Sequence, residues 1–238
     1  MQGSVENSQP VVVLSVDMPL CIARRLNLFL FTGVRNAGAV RAALLARELD
    51  AAVFDASLVA SPACIAAAGA RALFAWERAD ATASSLHSEL VFALHGGRNV
   101  GEALRVLGPR DVPSMDLLVA LFAAALPGGG EGADLVAAAD EARRVHLAGL
   151  VDGAVGDVGI YYGVEWIEAE GSGAAVYASP VTRPSQVNAR GIEKVYKMSA
   201  EELALPPSPA QALEAAVLAR IAICGLKGGE REKEGKNS

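Results

Sequence analysis

An α/β (α+β) fold is expected, a single domain with a small mixed, largely antiparallel sheet flanked by helices and ending in a C-terminal helix. Three observations predict it. Leu26–Phe31 is a short apolar run closed by Thr32-Gly33, and it passes directly into a helical pattern, which reads as a buried strand and then a helix. Met115–Phe122 is a second apolar run of strand length, although its alanine-rich end suits a helix equally. Leu213, Ala216, Val217, Ile221 and Cys224 recur at helical spacing close to the end of the chain.

The elements follow in order. Residues 1–25 form an N-terminal segment with a possible first strand. Asn36 offers a side-chain oxygen to the free amides of a helix from Ala37 to about Glu48, with Val40, Leu44 and Leu45 on one face. Pro62 opens a second, alanine-rich helix through Ala63–Phe74, since a first turn tolerates the missing amide hydrogen. From Ser85 to Leu94 the residues Leu86, Ser88, Leu90, Phe92 and Leu94 alternate with His87, Glu89 and Val91, which predicts a strand ended by Gly96-Gly97. Asn99 caps a helix through Leu107, and Gly108-Pro109 stops it.

The stretch from Pro127 to Gly191 reads as an insertion. It starts with a glycine-rich break at Pro127–Gly132, continues into an amphipathic helix over Asp134–His146, and offers two strands, Ile160–Ile167 and Ala174–Val181, that pair across a turn. Ser179–Arg190 has loop composition, and Val195–Met198 predicts a short strand. Ser199 and Glu202 have the spacing of a capping box for a short helix that Pro206-Pro207 ends. Ser208 as cap and Pro209 in the first turn open the last helix, with Gly225 as its stop, and residues 227–238 form a charged, disordered tail.

Composition narrows the function. The chain has 238 residues, 52% hydrophobic and 5% aromatic, and a mean hydropathy of +0.31, which excludes wholesale disorder. A net charge of -6 argues against binding nucleic acid through the overall field, because phosphate contacts need clustered Lys and Arg. Three widely spaced cysteines, Cys21, Cys64 and Cys224, suit neither a disulfide scaffold nor a paired-thiol zinc site and point to a reducing compartment. The N-terminus has no basic leader, and the longest apolar run, Leu117–Leu126, is 10 residues. That is half of the ~20 needed to span a bilayer, so a soluble, intracellular protein is expected.

Catalytic groups are scarce. Gly128, Gly130 and Ala133 fit a dinucleotide-binding turn, but Pro127 sits where the strand should enter it and no train of alternating strands and helices surrounds it. A nucleotide-binding enzyme using Gly128–Ala133 is therefore the alternative reading. Ser85, His87 and Glu89 have the residue types of a hydrolytic triad, yet alternate residues of one strand lie about 6.6 Å apart and point the same way. Glu89 is expected instead to be buried with a structural partner. His87, His95 and His146 are too scattered for a metal site, so neither metal nor cofactor is expected. The segment Arg98–Arg110 carries Arg98, Arg105 and Arg110 against a lone acid, Glu102, and it opens a helix where free amides favour an anion.

Taken in order, FTGVRNAGAVR, PACIAAAGARAL, SLHSELVFAL, NVGEALRVLG, and VYKMS with LARIAIC resemble the TPRKB family, the small kinase-binding subunit of the KEOPS (EKC) complex. The resemblance covers roughly Leu26–Leu121 and Ile192–Cys224, with Arg71 where the family pattern tends to have Lys, and places a TPRKB-like domain at 26–226. It implies a cytoplasmic and nuclear protein that is not an enzyme. It also implies docking on a small PRPK-type atypical kinase/ATPase, contact with other complex subunits through that partner, and a supporting role in threonylcarbamoyladenosine modification of tRNA. On this basis the helices from Asn36 to Glu48 and from Ser208 to Cys224 form or support the docking face, through Val40, Leu44, Leu213, Val217 and Ile221. Arg98, Asn99 and Arg105 are the candidates for holding a tRNA 3′ end.

Overall fold

The computed structural model describes residues 14–18, 24–124, 143, 145–164, 166–168, 175–177, 184–204 and 208–226. Its framework is an antiparallel sheet in the order β1 (Leu14–Met18), β2 (Arg24–Val34), β4 (Met115–Ala124), β3 (Ala52–Asp55). A short strand, β5 (Ala154–Gly156), lies against Leu30–Thr32 of β2, continuing the edge on which β1 covers Arg24–Leu28. The β2–β4 ladder runs from Arg24↔Ala124 to Phe31↔Leu117, and its register shifts between Phe31 and Val34.

Period-two alternation sends the side chains of these strands into two separate cores. Leu26, Leu28, Leu30, Phe54, Leu118 and Phe122 face one way. Phe29, Phe31, Val53, Leu117, Val119 and Leu121 face the other. Each of these side chains is buried, so both faces of the sheet must be covered. Fully burying a leucine or phenylalanine contributes about 1.5–3 kcal/mol, which makes the paired layers the main source of stability.

Helix α1 (Ala37–Leu45) and helix α5 (residues 145–150) cover the second core through Ala37, Val40, Ala43 and Leu147. The first core is covered by α2 (Pro62–Glu77), α3 (Leu86–His95), α4 (Val100–Leu107), α6 (Val158–Tyr162), α7 (Ala189–Tyr196) and α9 (Pro209–Leu226). Arg71 of α2 ties the C-terminal ends of this layer together, donating to the carbonyls of Ala93 in α3 and Ile221 in α9, each at 3.3 Å. Two buried phenols are satisfied in the same way: Tyr162 donates to Ala56 O at 2.9 Å and Tyr196 to Leu94 O at 2.8 Å.

Several expectations hold at residue level. Ser61 caps α2 with Pro62 in its first turn, Asn99 caps α4, and Ser199 with Glu202 forms a full capping box on α8 (Ala200–Leu203). Ser208 accepts from Gln211 N at the start of α9. The helix then continues through Gly225 to Leu226. Strands β6 (Trp166–Glu168) and β7 (Ala175–Tyr177) pair antiparallel, as expected for the inner parts of the two strands of the insertion.

Other expectations are corrected. Ser85–Leu94 is not a strand: Ser85 caps helix α3, and Gly96 ends it at φ 65, a left-handed conformation that glycine adopts without strain. The alternation misleads because this helix is enclosed on all sides, with every residue from Glu89 to Leu94 buried, so no polar stripe reveals the helical period. Val195–Met198 is likewise the end of helix α7, which Asn188 caps and in which Ile192 and Tyr196 stack at i and i+4 on the core. Ala189 and Arg190 therefore belong to a helix and not to the loop. Most of Ile160–Tyr162 is helical because Asp157 caps α6, and Gly163 ends that helix at φ 62.

Asn36 is also corrected. Its side chain does not cap α1. Instead it spans to the insertion, donating to Leu150 O at 2.7 Å and accepting from Asp152 N at 2.9 Å. The glycine-rich break at Pro127–Gly132, the start of the Asp134–His146 helix, Pro206-Pro207 and the 227–238 tail lie outside the described residues.

Because Asn36 alone satisfies both backbone groups, Asn36→Ala should destabilise the fold by about 2 kcal/mol in urea unfolding. The Asp152 amide should lose protection from hydrogen exchange before the sheet amides do.

Candidate functional site

The residues expected to dock a partner are mostly interior. Val40 is 0% exposed in the core under α1, and Leu213, Val217 and Ile221 of α9 are 2%, 1% and 3% exposed in the core on the other side of the sheet. These two helices therefore do not share a surface. Leu44 is half-buried and reaches the surface beside Leu45, which is 72% exposed. The exposed large apolar residues of the opposite layer include Phe74 and Trp76 on α2 and Ile223 on α9. They sit near the helix ends that Arg71 joins, and the guanidinium of Arg78 lies over the Phe74 ring at 5.1 Å.

The residues expected to hold RNA are exposed. Arg98 and Asn99 stand at the start of α4, and Arg105 lies in its last turn. Asn99 Oδ1 is already engaged by Glu102 N at 3.1 Å, so its part is to cap the helix. Arg110, the third cation of this segment, is committed to Asp55, a 2% exposed carboxylate that also accepts from Ser57 N and Oγ.

Leu44 and Arg105 meet in one groove of about 460 Å³. Its walls are the C-terminal turn of α1, the start of α3 and the outer side of α4. Leu45 and Leu104 line it from opposite walls, Leu49, Val53 and Val91 line its apolar base, and Arg41, Arg47 and Arg105 carry its positive charge. Arg41, Arg47, Leu45 and Leu104 were missed by sequence reasoning. The visible signal was the RAALLAR run, in which two arginines flank the one leucine pair of the first helix.

At the same groove Asp50 accepts from His87 Nδ1 at 2.7 Å, while His87 Nε2 accepts from Phe122 N at 3.2 Å. These two bonds require a proton on Nδ1 and a free Nε2. The hydrogen bond from His87 holds the Asp50 carboxyl below the usual carboxylate range. Ser85 caps Ser88, and the buried Glu89 accepts from Thr82 N and Ala83 N at 2.8 and 2.7 Å. The triad residue types are thus separated on a helix, each with a structural task, and Glu89 has the buried partners expected of it.

Other buried groups are similarly inert. Ser61 donates to Glu214 in the seam between α2 and α9, and burial pushes the neighbouring Cys64 thiol up to about 12, far from the thiolate a nucleophile requires. No cluster of three His, Cys, Asp or Glu suited to a metal occurs among the described residues. No helix among them is long and apolar enough to cross a membrane. The glycine-rich turn Gly128–Ala133 lies outside the described residues.

Comparison with protein families gives one match: the family model described as kinase binding protein CGI-121 matches residues 31–225, well over half of the chain. No curated protein matches.

The depressed Asp50 carboxyl sets a pH dependence. A group whose value is lowered by folding stabilises the protein above the ordinary carboxylate range and loses that contribution as pH falls through its folded value. Asp50→Ala should therefore lower the unfolding midpoint at pH 7, and the difference from the parent protein should vanish below about pH 3.

Proposed function

Because the chain belongs to the CGI-121 family of kinase-binding proteins, we propose that it acts as a subunit of a KEOPS (EKC) complex. In that complex it binds and stimulates a small PRPK-type kinase/ATPase and so supports threonylcarbamoyladenosine modification of tRNA. The family is non-catalytic, and what the chain contributes is surface.

One observation supports the place of docking: Phe74, Trp76 and Ile223, at 56%, 40% and 50% exposed, stand at the joined ends of α2 and α9. Aromatic and branched side chains held on rigid helices are the usual anchors of protein interfaces. Leu213, Val217 and Ile221 then support this face from beneath, which is the role their burial allows. Val40 and Leu44 belong to the other layer and take no part in it.

A second surface serves RNA. Arg98 and Arg105 flank α4, the locally basic element of an acidic chain, and Asn99 fixes the helix start between them. A single-stranded tRNA 3′ end would be held there through phosphate contacts, with its bases against apolar side chains.

Phe74→Glu combined with Ile223→Glu should weaken capture of the co-expressed kinase-like ATPase at least about tenfold in calorimetric titration, since each introduces a charge into an apolar contact. Its thermal midpoint should stay close to that of the parent protein, and undiminished affinity in this variant would move the docking face elsewhere. Arg98→Glu with Arg105→Glu should weaken binding of an RNA carrying a tRNA 3′ end about tenfold or more, while kinase capture persists. Parent-level RNA affinity in that variant would remove both arginines from the site.

A further inference from the structure

We infer that the groove between α1 and α4 is a two-walled site for a single-stranded RNA end, with Arg41 and Arg47 of the α1 wall gripping phosphates opposite Arg105. This rests on the RNA reading of α4 given above and adds the facing wall, the apolar floor and a strained arginine.

The charge argument comes first. Arg41, Arg47 and Arg105 all line the groove, and none has an ion-pair partner among the described residues. The acid on the same wall, Asp50, is engaged by His87. The chain is acidic as a whole, so three guanidiniums around one concavity are a local reversal of its field. Between them lie Leu45 and Leu104, two of the exposed large apolar residues, on opposite walls. Apolar side chains flanked by guanidiniums match a nucleotide strand, in which flat bases alternate with anionic phosphates. A volume of about 460 Å³ falls within the roughly 300–1,000 Å³ of small-ligand sites, which suits a strand end and excludes a duplex.

The backbone at Arg47 supplies an independent observation. Helix α1 ends with Glu48 N bonded to Ala43 O at 3.0 Å and Arg47 N to Leu44 O at 3.2 Å, with Arg47 at φ 60. This is the left-handed position of a helix C-terminus, which glycine normally fills because a side chain there is strained. An arginine stands where the fold would prefer no side chain, and it lines the groove. Strain kept at a position that faces a concavity is the signature of a binding residue.

The substitution that tests this separates folding from binding. Arg47→Gly removes the guanidinium and the strain together, so its thermal midpoint should equal or exceed that of the parent protein. Its affinity for a fluorescein-labelled single-stranded RNA heptamer, followed by anisotropy, should fall about tenfold, as removal of one charge-assisted hydrogen bond implies. Arg41→Glu should weaken binding further. In each variant the slope of log affinity against log salt should shrink by about 0.7 for each phosphate that the protein no longer neutralises. A hairpin of the same composition and free adenosine monophosphate serve as the other arms, and both should bind more weakly than the heptamer.

If the parent protein binds no RNA, the α4 reading fails and this inference with it. If the parent binds but Arg47→Gly and Arg41→Glu bind equally well, the α4 reading stands and the facing wall is wrong. Tighter binding of an acidic, leucine-containing peptide than of the heptamer would assign the groove to a protein partner and overturn the proposal.

Discussion

Strands β2 and β4 pair over most of their length with side chains buried on both faces, and from that double burial most of the architecture follows. An antiparallel sheet usually leaves one face to water, but here Leu26, Leu28 and Leu30 enter one core while Phe29 and Phe31 enter the other. The chain must then supply a helical layer on each side. The larger layer carries α2, α3 and α9, and the smaller one borrows α5 from the insertion, clamped by Asn36. Where β3 begins at Ala52 it no longer covers the far end of β4, and side chains take over. His87 accepts from Phe122 N, and Arg143 donates to Phe122 O at 3.4 Å. A buried strand edge would otherwise leave polar groups unpaired.

That same economy explains why the molecule contributes surfaces and no reactive groups. The residues with chemical potential are consumed by the fold: His87 at a strand edge, Glu89 at two loop amides, Asp55 at Arg110, Glu214 at Ser61, Cys64 in a dry seam. What remains free is positional. Phe74, Trp76 and Ile223 project from one helical layer, and three arginines with Leu45 and Leu104 ring the groove on the α1 side. The two surfaces differ in chemistry, one apolar and one cationic, so one chain can hold a protein and a polyanion without competition between them.

Much of the fold was legible because its signals are local. Ser61-Pro62, Asn99, the Ser199/Glu202 box and Ser208-Pro209 mark helix starts through side chains that reach amides a few residues on, and these interactions need no distant partner. The β2 and β4 runs stood out because double burial makes them continuously apolar. The failure at α3 has a physical cause. That helix is enclosed all round, so its period was hidden and a chance alternation at Leu86, Leu90, Phe92 and Leu94 suggested a strand. Ser85 and Gly96 bracketed it with a cap and a stop, and those were the better guide.

The amino-acid sequence alone determined the element types with strong caps, the absence of an assembled catalytic constellation, the basic character of α4 and the family resemblance, since each depends on residues near one another in the chain. Tertiary structure alone decided which apolar helix faces are interior. Val40 and Leu213 look identical in periodicity, but they lie on opposite sides of the sheet, and both are buried. It also decided that Arg41 and Arg47 face Arg105 across a groove, and that Asn36 clamps residues 150 and 152 and leaves its own helix uncapped. Periodicity states that a helix has an apolar face. Only the packing of distant segments determines whether that face meets the core, a partner or water.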